Sequence, residues 1–170
     1  EDVEGNVLYE FKETEELVLN PSLTYILNEL LTTTYDSTFI DYNYPTIINI
    51  AGRLSRKYSV KSGTTATDTW TIGYNPQVVT AVWVGYDNSK TIEEDLYSST
   101  KNIWADTMET YLKDKEEVWF EMPSNVVGVL VDSISGVAAT EKTTKKRILY
   151  YLKGTEPTGE EMVFDEKLNN

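Results

Sequence analysis

Three consecutive segments between residues 58 and 86 are rich in Val, Trp, Tyr and Thr and are separated by turn residues. These residue types favour a pleated, half-buried backbone. Asn75-Pro76-Gln77 interrupts the second and third segments and has the composition of a turn. The pattern therefore predicts three antiparallel strands in sequential order, over 58–65, 68–74 and 78–86.

A helix is predicted over 21–33. Asn20 is a suitable N-cap, and Pro21 suits the first helical position. Apolar residues then recur every three or four positions, which gives one apolar stripe on the helix surface. The stripe consists of Leu23, Ile26, Leu27, Leu30 and Leu31.

A second helix is predicted over 100–114, and Ser98 or Ser99 can cap it. Its apolar residues share one face, which we expect to pack in the core rather than bind a partner. The members of that face are Ile103, Trp104, Thr107, Met108, Tyr111 and Leu112.

The remaining segments predict shorter elements. Gly5-Asn6, followed by alternating apolar residues, indicates a hairpin and a short strand over 7–11. Residues 35–57 lack periodicity and indicate mainly loop. Two more strands are predicted over 126–131 and 147–152.

Pro123 breaks the chain, and strand-type segments follow it where a helical segment precedes it. We therefore place a domain boundary near 118–125. Residues 1–120 are then predicted to form a mixed α/β (α+β) unit with an antiparallel sheet flanked by helices. Residues 121–170 are predicted to form a small β-rich C-terminal module.

Composition excludes several functions. The chain has no Cys and no His, which removes thiol nucleophiles, His-based triads and most zinc sites. It has 28 acidic against 15 basic residues and a net charge of -13, so nucleic acid is a poor partner. Catalysis would have to use Ser, Thr, Lys, Tyr or carboxylates.

Positive charge is concentrated next to the first predicted strand. Residues 51–61 contain Arg53, Arg56, Lys57 and Lys61 and no acid, whereas residues 1–50 carry ten acids and only Lys12. This basic segment could attract an anion, or it could be a solvated edge that discourages strand-to-strand aggregation.

Polar chemistry is concentrated in the first strand, and the strands that follow make its pattern specific. Lys-Ser-Gly-Thr alone would occur by chance in many proteins. The motifs in order are Lys61-Ser62-Gly63-Thr64-Thr65, Asp68-Thr69-Trp70, Gly73-Tyr74-Asn75-Pro76, and Trp83-Val84-Gly85-Tyr86-Asp87. Together they resemble the third active-site motif and following strands of penicillin-binding proteins, most closely the class A, bifunctional type.

The resemblance continues on both sides of these strands. Residues 5–9, the Asn20-Pro21 helix, Ile103-Trp104 with Met108, and residues 151–158 are similar to segments of that family. The likeness covers nearly the whole chain, but only the C-terminal part of the family's transpeptidase domain. It implies part of a β-lactamase/transpeptidase-like fold.

The resemblance also implies a function. Such proteins cross-link peptidoglycan stem peptides through an acyl-serine intermediate as DD-transpeptidases, and β-lactam antibiotics inhibit them. They act at the extracytoplasmic face of the bacterial membrane, so an N-terminal segment outside this chain would anchor the protein. No cofactor or metal is implied.

The resemblance assigns roles to single residues. Lys61 would place a positive charge in the cleft, which would hold the substrate's terminal carboxylate and ease proton transfer at the nucleophile. Ser62 and Thr64, on one strand face, would bind that carboxylate with their hydroxyls. Gly63 would let a substrate peptide lie along the strand, and Thr65 would also contact substrate. The Thr64 backbone N–H would supply half of an oxyanion hole. Because Lys61 falls on the strand face opposite Ser62, its side chain must curl round an edge.

Two family motifs are missing upstream of the polar strand, namely the Ser-x-x-Lys nucleophile and the Ser-x-Asn loop. Ser98-Ser99-Thr100-Lys101 fits the first by letter but follows the strand, where helix capping explains it better. The isolated chain is therefore predicted to form no penicillin adduct and to expose apolar surface where the missing N-terminal part of the same protein belongs. The alternative function is a non-catalytic surface module that binds cell-wall peptide or β-lactam.

Overall fold

The computed structural model describes residues 1–12, 16–88 and 90–159. In these residues it contains two α-helices, two antiparallel sheets and several short 3-10 turns. The main elements are α1 (Pro21–Leu31), β1 (Ser59–Thr64), β2 (Asp68–Asn75), β3 (Val78–Gly85), α2 (Ser99–Leu112), β4 (Val126–Asp132) and β5 (Lys146–Leu152).

The first sheet has the order β1-β2-β3, and both strand pairs are antiparallel. Lys61 lies opposite Ile72, and Ser62 lies opposite Thr71. The predicted three-strand meander is thereby confirmed, and so is the mixed α+β class with helices next to an antiparallel sheet. Among the described residues β1 has one strand neighbour, so its other edge is open.

Helix α2 covers one face of this sheet. Trp104, Met108 and Leu112 are fully buried, and Trp104 packs edge-on against Tyr58 with ring centroids 5.4 Å apart. A Cβ on Gly73 would lie 2.4 Å from a Trp104 ring carbon, so the ring packs directly on bare backbone. The prediction of a core face is confirmed for these three residues.

Three members of the predicted α2 face, Ile103, Thr107 and Tyr111, are exposed at its margin instead. Ile103 is 48% exposed and Tyr111 is 53% exposed, because the face that meets the sheet is centred on Trp104 and includes Thr100 and Ala105. The predicted side-chain cap is also wrong. A 3-10 turn over Glu94–Ser98 leads directly into α2, and the Ser99 hydroxyl donates to the Leu96 carbonyl oxygen rather than capping the helix.

Helix α1 begins as predicted, since the Asn20 side chain accepts hydrogen bonds from the N–H groups of Ser22 and Leu23. Its buried face, however, is polar. Glu29 is buried and accepts hydrogen bonds from Lys57 Nζ and Trp119 Nε1. The apolar stripe points outward because these polar partners occupy the opposite face: Leu23, Leu27 and Leu30 are each about half exposed, at 55%, 50% and 48%.

Strands β4 and β5 form the second sheet, as predicted. This pair contacts α1, where the Tyr25 and Tyr150 rings meet edge-on with centroids 5.5 Å apart. Arg147 of β5 forms an ion pair with Asp36 and donates a hydrogen bond to Thr32 Oγ1. The β pair is therefore joined to the rest of the chain by polar and aromatic contacts. Residues 160–170 of the predicted C-terminal module lie outside the described residues.

The predicted N-terminal hairpin is wrong. Gly5 has a φ of 84° and lies in a turn, where Asp2 accepts hydrogen bonds from Asn6. Residues 7–12 form no strand, since no neighbouring strand pairs with them in the described chain. The Asp2 side chain alone accepts the hydrogen bonds of this turn, so the turn forms without a paired strand.

A second apolar surface lies on the sheet face opposite α2. Trp70, Ile72, Val79 and Trp83 of β2 and β3 are between 41% and 68% exposed. Together with the outward stripe of α1, this confirms the expectation of exposed apolar sheet and helix surface. None of the helices in the described ranges is long and apolar enough to cross a membrane.

Candidate active site

The side chain of Lys61 curls round the open edge of β1. Strand alternation puts its Cβ on the same face as Gly63, opposite Ser62. Its Nζ nevertheless donates to the carbonyl oxygen of Ser62 at 2.5 Å. The ammonium group thus lies at the strand edge. Strand alternation requires this position if Lys61 and Ser62 are to serve the same cleft.

The same edge carries backbone groups that point away from β2. The Thr65 N–H donates to the Asp68 carbonyl oxygen at 2.9 Å, so Thr65 faces β2. Because backbone groups of successive strand residues alternate between the two edges, the Thr64 N–H and the Ser62 carbonyl group face outward. The Val60 carbonyl oxygen faces the same way and accepts a hydrogen bond from Thr34 Oγ1 at 3.0 Å. The edge can therefore pair with an extended peptide through Ser62 and Thr64.

The hydroxyl face of β1 borders a cavity of about 310 Å³. Ser62 and Thr64 line it from the strand, and Lys101 lines it from the first turn of α2. The other lining residues come from the loop before β1 and are Tyr44, Thr46, Ile48 and Asn49. The structure thus brings a second lysine to the hydroxyls, one that the sequence analysis did not select.

Lys61 lines a neighbouring cavity of about 290 Å³. Tyr44 and Thr46 line both cavities, so the two spaces adjoin along the open edge of β1. Burial and the charge of Lys61 both lower the pKa of Lys101. Two cations therefore converge on this edge from opposite faces of the strand.

Thr65 occupies a different position from the other motif residues. It follows the last residue of β1, and its hydroxyl accepts hydrogen bonds from the N–H groups of Thr67 and Asp68, both at 3.1 Å. Its hydroxyl also bonds to the Asp68 carboxylate. Thr65 therefore holds the β1–β2 turn. Gly63 lies within β1 opposite Trp70, where an added Cβ would meet only the Trp70 Cβ, at 4.0 Å.

Most of the basic segment before the motif has structural partners. Arg53 pairs with Asp106, and Lys57 pairs with buried Glu29. Arg56 donates to the carbonyl oxygen of Leu112 at the end of α2 and to that of Lys115 just beyond it, the latter at 2.7 Å. In the described ranges neither Arg56 nor Lys61 has a carboxylate partner. Arg56 donates to three backbone carbonyl oxygens of a distant segment, whereas Lys61 donates only to the adjacent Ser62 carbonyl oxygen.

A chain of threonine hydroxyls connects the motif strand to α2. Thr64 and Thr69 hydroxyls lie 3.4 Å apart, Thr69 and Thr100 hydroxyls also 3.4 Å apart, and Thr71 donates to Thr100 at 3.0 Å. Thr69, Thr71 and Thr100 are fully buried. The alternation of Thr69 and Thr71 in β2 was visible in the sequence, but their shared partner on α2 depends on how the helix packs.

We expect Thr100→Val to destabilise the protein by roughly 1–3 kcal/mol, because it has nearly the same shape but leaves the buried Thr71 hydroxyl without its acceptor. Thr100→Ser keeps the hydroxyl and serves as the matched control, although it removes one methyl group. Thermal unfolding compares the two. A valine variant at least as stable as the serine variant would contradict the hydroxyl chain as a stabilising feature.

Comparison with known proteins identifies the family of this fold and site. The family model described as "Penicillin-binding protein 1A, C-terminal domain" matches residues 122–166. Penicillin-binding protein 2D of Bacillus subtilis (strain 168) is 39% identical over 157 residues, which is 92% of this chain. The chain corresponds to the C-terminal part of a class A penicillin-binding protein.

Other penicillin-binding proteins support the assignment. Penicillin-binding protein 1A of Aquifex aeolicus (strain VF5) is 34% identical over 111 residues, or 63% of this chain. The crystal structure of penicillin-binding protein 1A from Haemophilus influenzae matches with a TM-score of 0.70 and 26% identity over 83% of this chain. The fold is thus that of a transpeptidase-type penicillin-binding protein, as the resemblance implied.

The chain spans a small part of these penicillin-binding proteins. It covers 23% of the Bacillus protein, 15% of the Aquifex protein and 22% of the Haemophilus chain.

Proposed function

We propose that this chain is the part of a DD-transpeptidase that carries the substrate-binding strand. The complete enzyme would cross-link peptidoglycan stem peptides through an acyl-serine intermediate and would be acylated by β-lactams. Within the chain, the open edge of β1 carries the proposal. There the Lys61 ammonium, the Thr64 N–H and the Ser62 carbonyl group lie together, beside two adjoining cavities.

An acyl-transfer site needs a bound peptide, a stabilised oxyanion and an activated nucleophile. The outward backbone groups of Ser62 and Thr64 would hold the substrate peptide as an added strand, and Gly63 leaves space for its close approach. The Thr64 N–H would donate to the developing oxyanion, a contribution of roughly 3 kcal/mol per donor in other acyl-transfer enzymes.

The remaining motif residues would complete the substrate site. Lys61 would supply positive charge for substrate binding and for proton transfer at the nucleophile. The hydroxyls of Ser62 and Thr64 would bind a substrate carboxylate. Thr65 would contact substrate from the end of the strand while its hydroxyl holds the β1–β2 turn.

The nucleophile would come from an upstream part of the same protein. Upstream of the polar strand the sequence contains neither a Ser-x-x-Lys nor a Ser-x-Asn pattern. The outward stripe of α1 and the exposed sheet face with Trp70 and Trp83 would receive that part, since apolar patches of this kind mark interaction surfaces. We further propose that residues 1–120 form the C-terminal part of the transpeptidase domain. Residues 121–170 would form a separate, small β-rich module.

The protein would act at the extracytoplasmic face of the bacterial membrane, held there by a segment outside this chain. Labelling of the full-length protein with a fluorescent penicillin tests the proposal. A covalent label that excess unlabelled benzylpenicillin prevents is expected. A full-length protein that binds penicillin or stem peptide only reversibly would instead favour a non-catalytic binding module.

A further inference from the structure

Lys101 is a cation in an unfavourable electrostatic position. It lies in the first turn of α2, where the partial positive charge of a helix N-terminus disfavours basic side chains. That turn contains no acidic residue. In residues 1–12, 16–88 and 90–159, Lys101 has neither a salt bridge nor a side-chain hydrogen bond. Burial and the nearby Lys61 charge lower its pKa, as both penalise a cation that no anion neutralises.

The hydroxyls that share its cavity also have hydrogen-bonding capacity to spare. Ser62, 9% exposed, lines the same cavity, and in the described part of the chain its hydroxyl has no hydrogen-bond partner. The Thr64 hydroxyl has a single weak contact, to Thr69 at 3.4 Å. The cavity is therefore bordered by a lysine and two hydroxyls, all capable of donating hydrogen bonds to one anion.

Lys61 and Lys101 reach β1 from different faces of the strand. The Cβ of Lys61 lies on the face of β1 opposite the two hydroxyls, and the Lys61 ammonium group is engaged with the Ser62 carbonyl oxygen at the strand edge. Lys101, by contrast, approaches from the hydroxyl face itself. The two lysines thus serve different sides of the strand.

We propose that Lys101 is a substrate-binding residue that receives the carboxylate of the acyl-transfer ligand together with the hydroxyls of Ser62 and Thr64. The inference rests on the proposed function and deepens it, because it assigns carboxylate recognition to a residue outside the Lys-Ser-Gly-Thr motif. Lys61 then acts mainly at the strand edge and the nucleophile.

The test compares two forms of one ligand on the full-length protein, namely benzylpenicillin and its uncharged methyl ester. Lys101→Met removes the charge and keeps the length of the side chain. Since a hydrogen bond to a charged group is worth a factor of about 10 to 100, we expect Lys101→Met to slow acylation by benzylpenicillin by that factor. Acylation by the methyl ester should stay within about twofold of the unmodified protein, because the ester offers no carboxylate.

Two further variants make the result specific. Lys101→Arg keeps a positive charge and should recover most of the rate with benzylpenicillin. Lys113→Met removes an exposed lysine from the end of the same helix and should leave both rates unchanged. Equal losses with acid and ester, or no loss with benzylpenicillin, would overturn the assignment of Lys101 while leaving the proposed function intact. An unmodified protein that reacts with neither form would instead overturn the proposed function and this inference with it.

Discussion

Replacing Lys61 with alanine in the full-length protein is expected to slow acylation by penicillin by roughly 100-fold or more, since one polar contact to the transition state is typically worth a few kcal/mol. The stability of the protein should change little. Lys61 is exposed, has no carboxylate partner in the described residues, and donates one hydrogen bond to the adjacent Ser62 carbonyl group. Substitutions at such surface positions usually change stability by about 0.5 kcal/mol or less.

Rates of labelling with a fluorescent penicillin and a thermal unfolding curve measure the two effects separately. Lys113→Ala, which removes an exposed lysine at the end of α2, is the matched control and should change neither. A Lys61→Ala protein that is labelled at the unmodified rate would refute the role of Lys61. A protein that loses labelling and stability together would show that Lys61 supports the fold instead.

Gly73→Ala is expected to destabilise the protein more than the addition of a methyl group at any other position in this sheet. The added Cβ would lie 2.4 Å and 2.7 Å from two Trp104 ring carbons and 2.9 Å from the Val60 Cβ. Trp104 and Val60 are fully buried, so neither can move aside without disturbing the core. We expect a loss of about 3 kcal/mol, the upper end of the usual cost of overpacking.

Thermal unfolding of the full-length protein, followed by tryptophan fluorescence, measures this loss as a melting temperature lower by about 2 °C or more. Gly52→Ala is the control, because an added Cβ there has no heavy atom within 4 Å and the residue lies in a 3-10 turn with ordinary φ. If both variants melt at the unmodified temperature, the close packing of Trp104 on β2 is wrong.

Strand positions were predictable because alternation and turn chemistry are local properties. The β1–β2–β3 meander follows from Val, Trp, Tyr and Thr between clear turns, and β1 and β2 then fix which motif residues share a face. The curl of Lys61 round the strand edge was also required by alternation. These features need no knowledge of distant residues.

Helix burial was less predictable because it depends on what lies opposite each face. Periodicity identifies the apolar stripe of α1, but the buried side of the helix holds Glu29 and Asn28, which bond to Lys57, Trp119 and Tyr74 from distant segments. No periodicity within 21–33 reveals those partners. The outward stripe is consistent with the proposed upstream part of the protein covering it.

Lys101 was missed for a related reason. In the sequence it belongs to Ser98-Ser99-Thr100-Lys101, where helix capping was the best explanation, and it lies 37 positions after Thr64. Only the packing of α2 against β2 brings its first turn to the hydroxyl face of β1. The described lining of the two cavities does not include Ser98, which leaves the Ser-x-x-Lys pattern here without a nucleophile at the site.

Mass spectrometry after incubation with excess benzylpenicillin shows which part of the protein carries the nucleophile, with the full-length protein and the isolated chain treated in parallel. The full-length protein should carry one penicilloyl group on a serine upstream of this chain, and the isolated chain should carry none, since acyl transfer requires a nucleophile and base that these residues do not supply. A stoichiometric adduct on the isolated chain, mapping to Ser62 or Ser98, would show that this chain holds a nucleophile of its own and is not only the substrate-binding part.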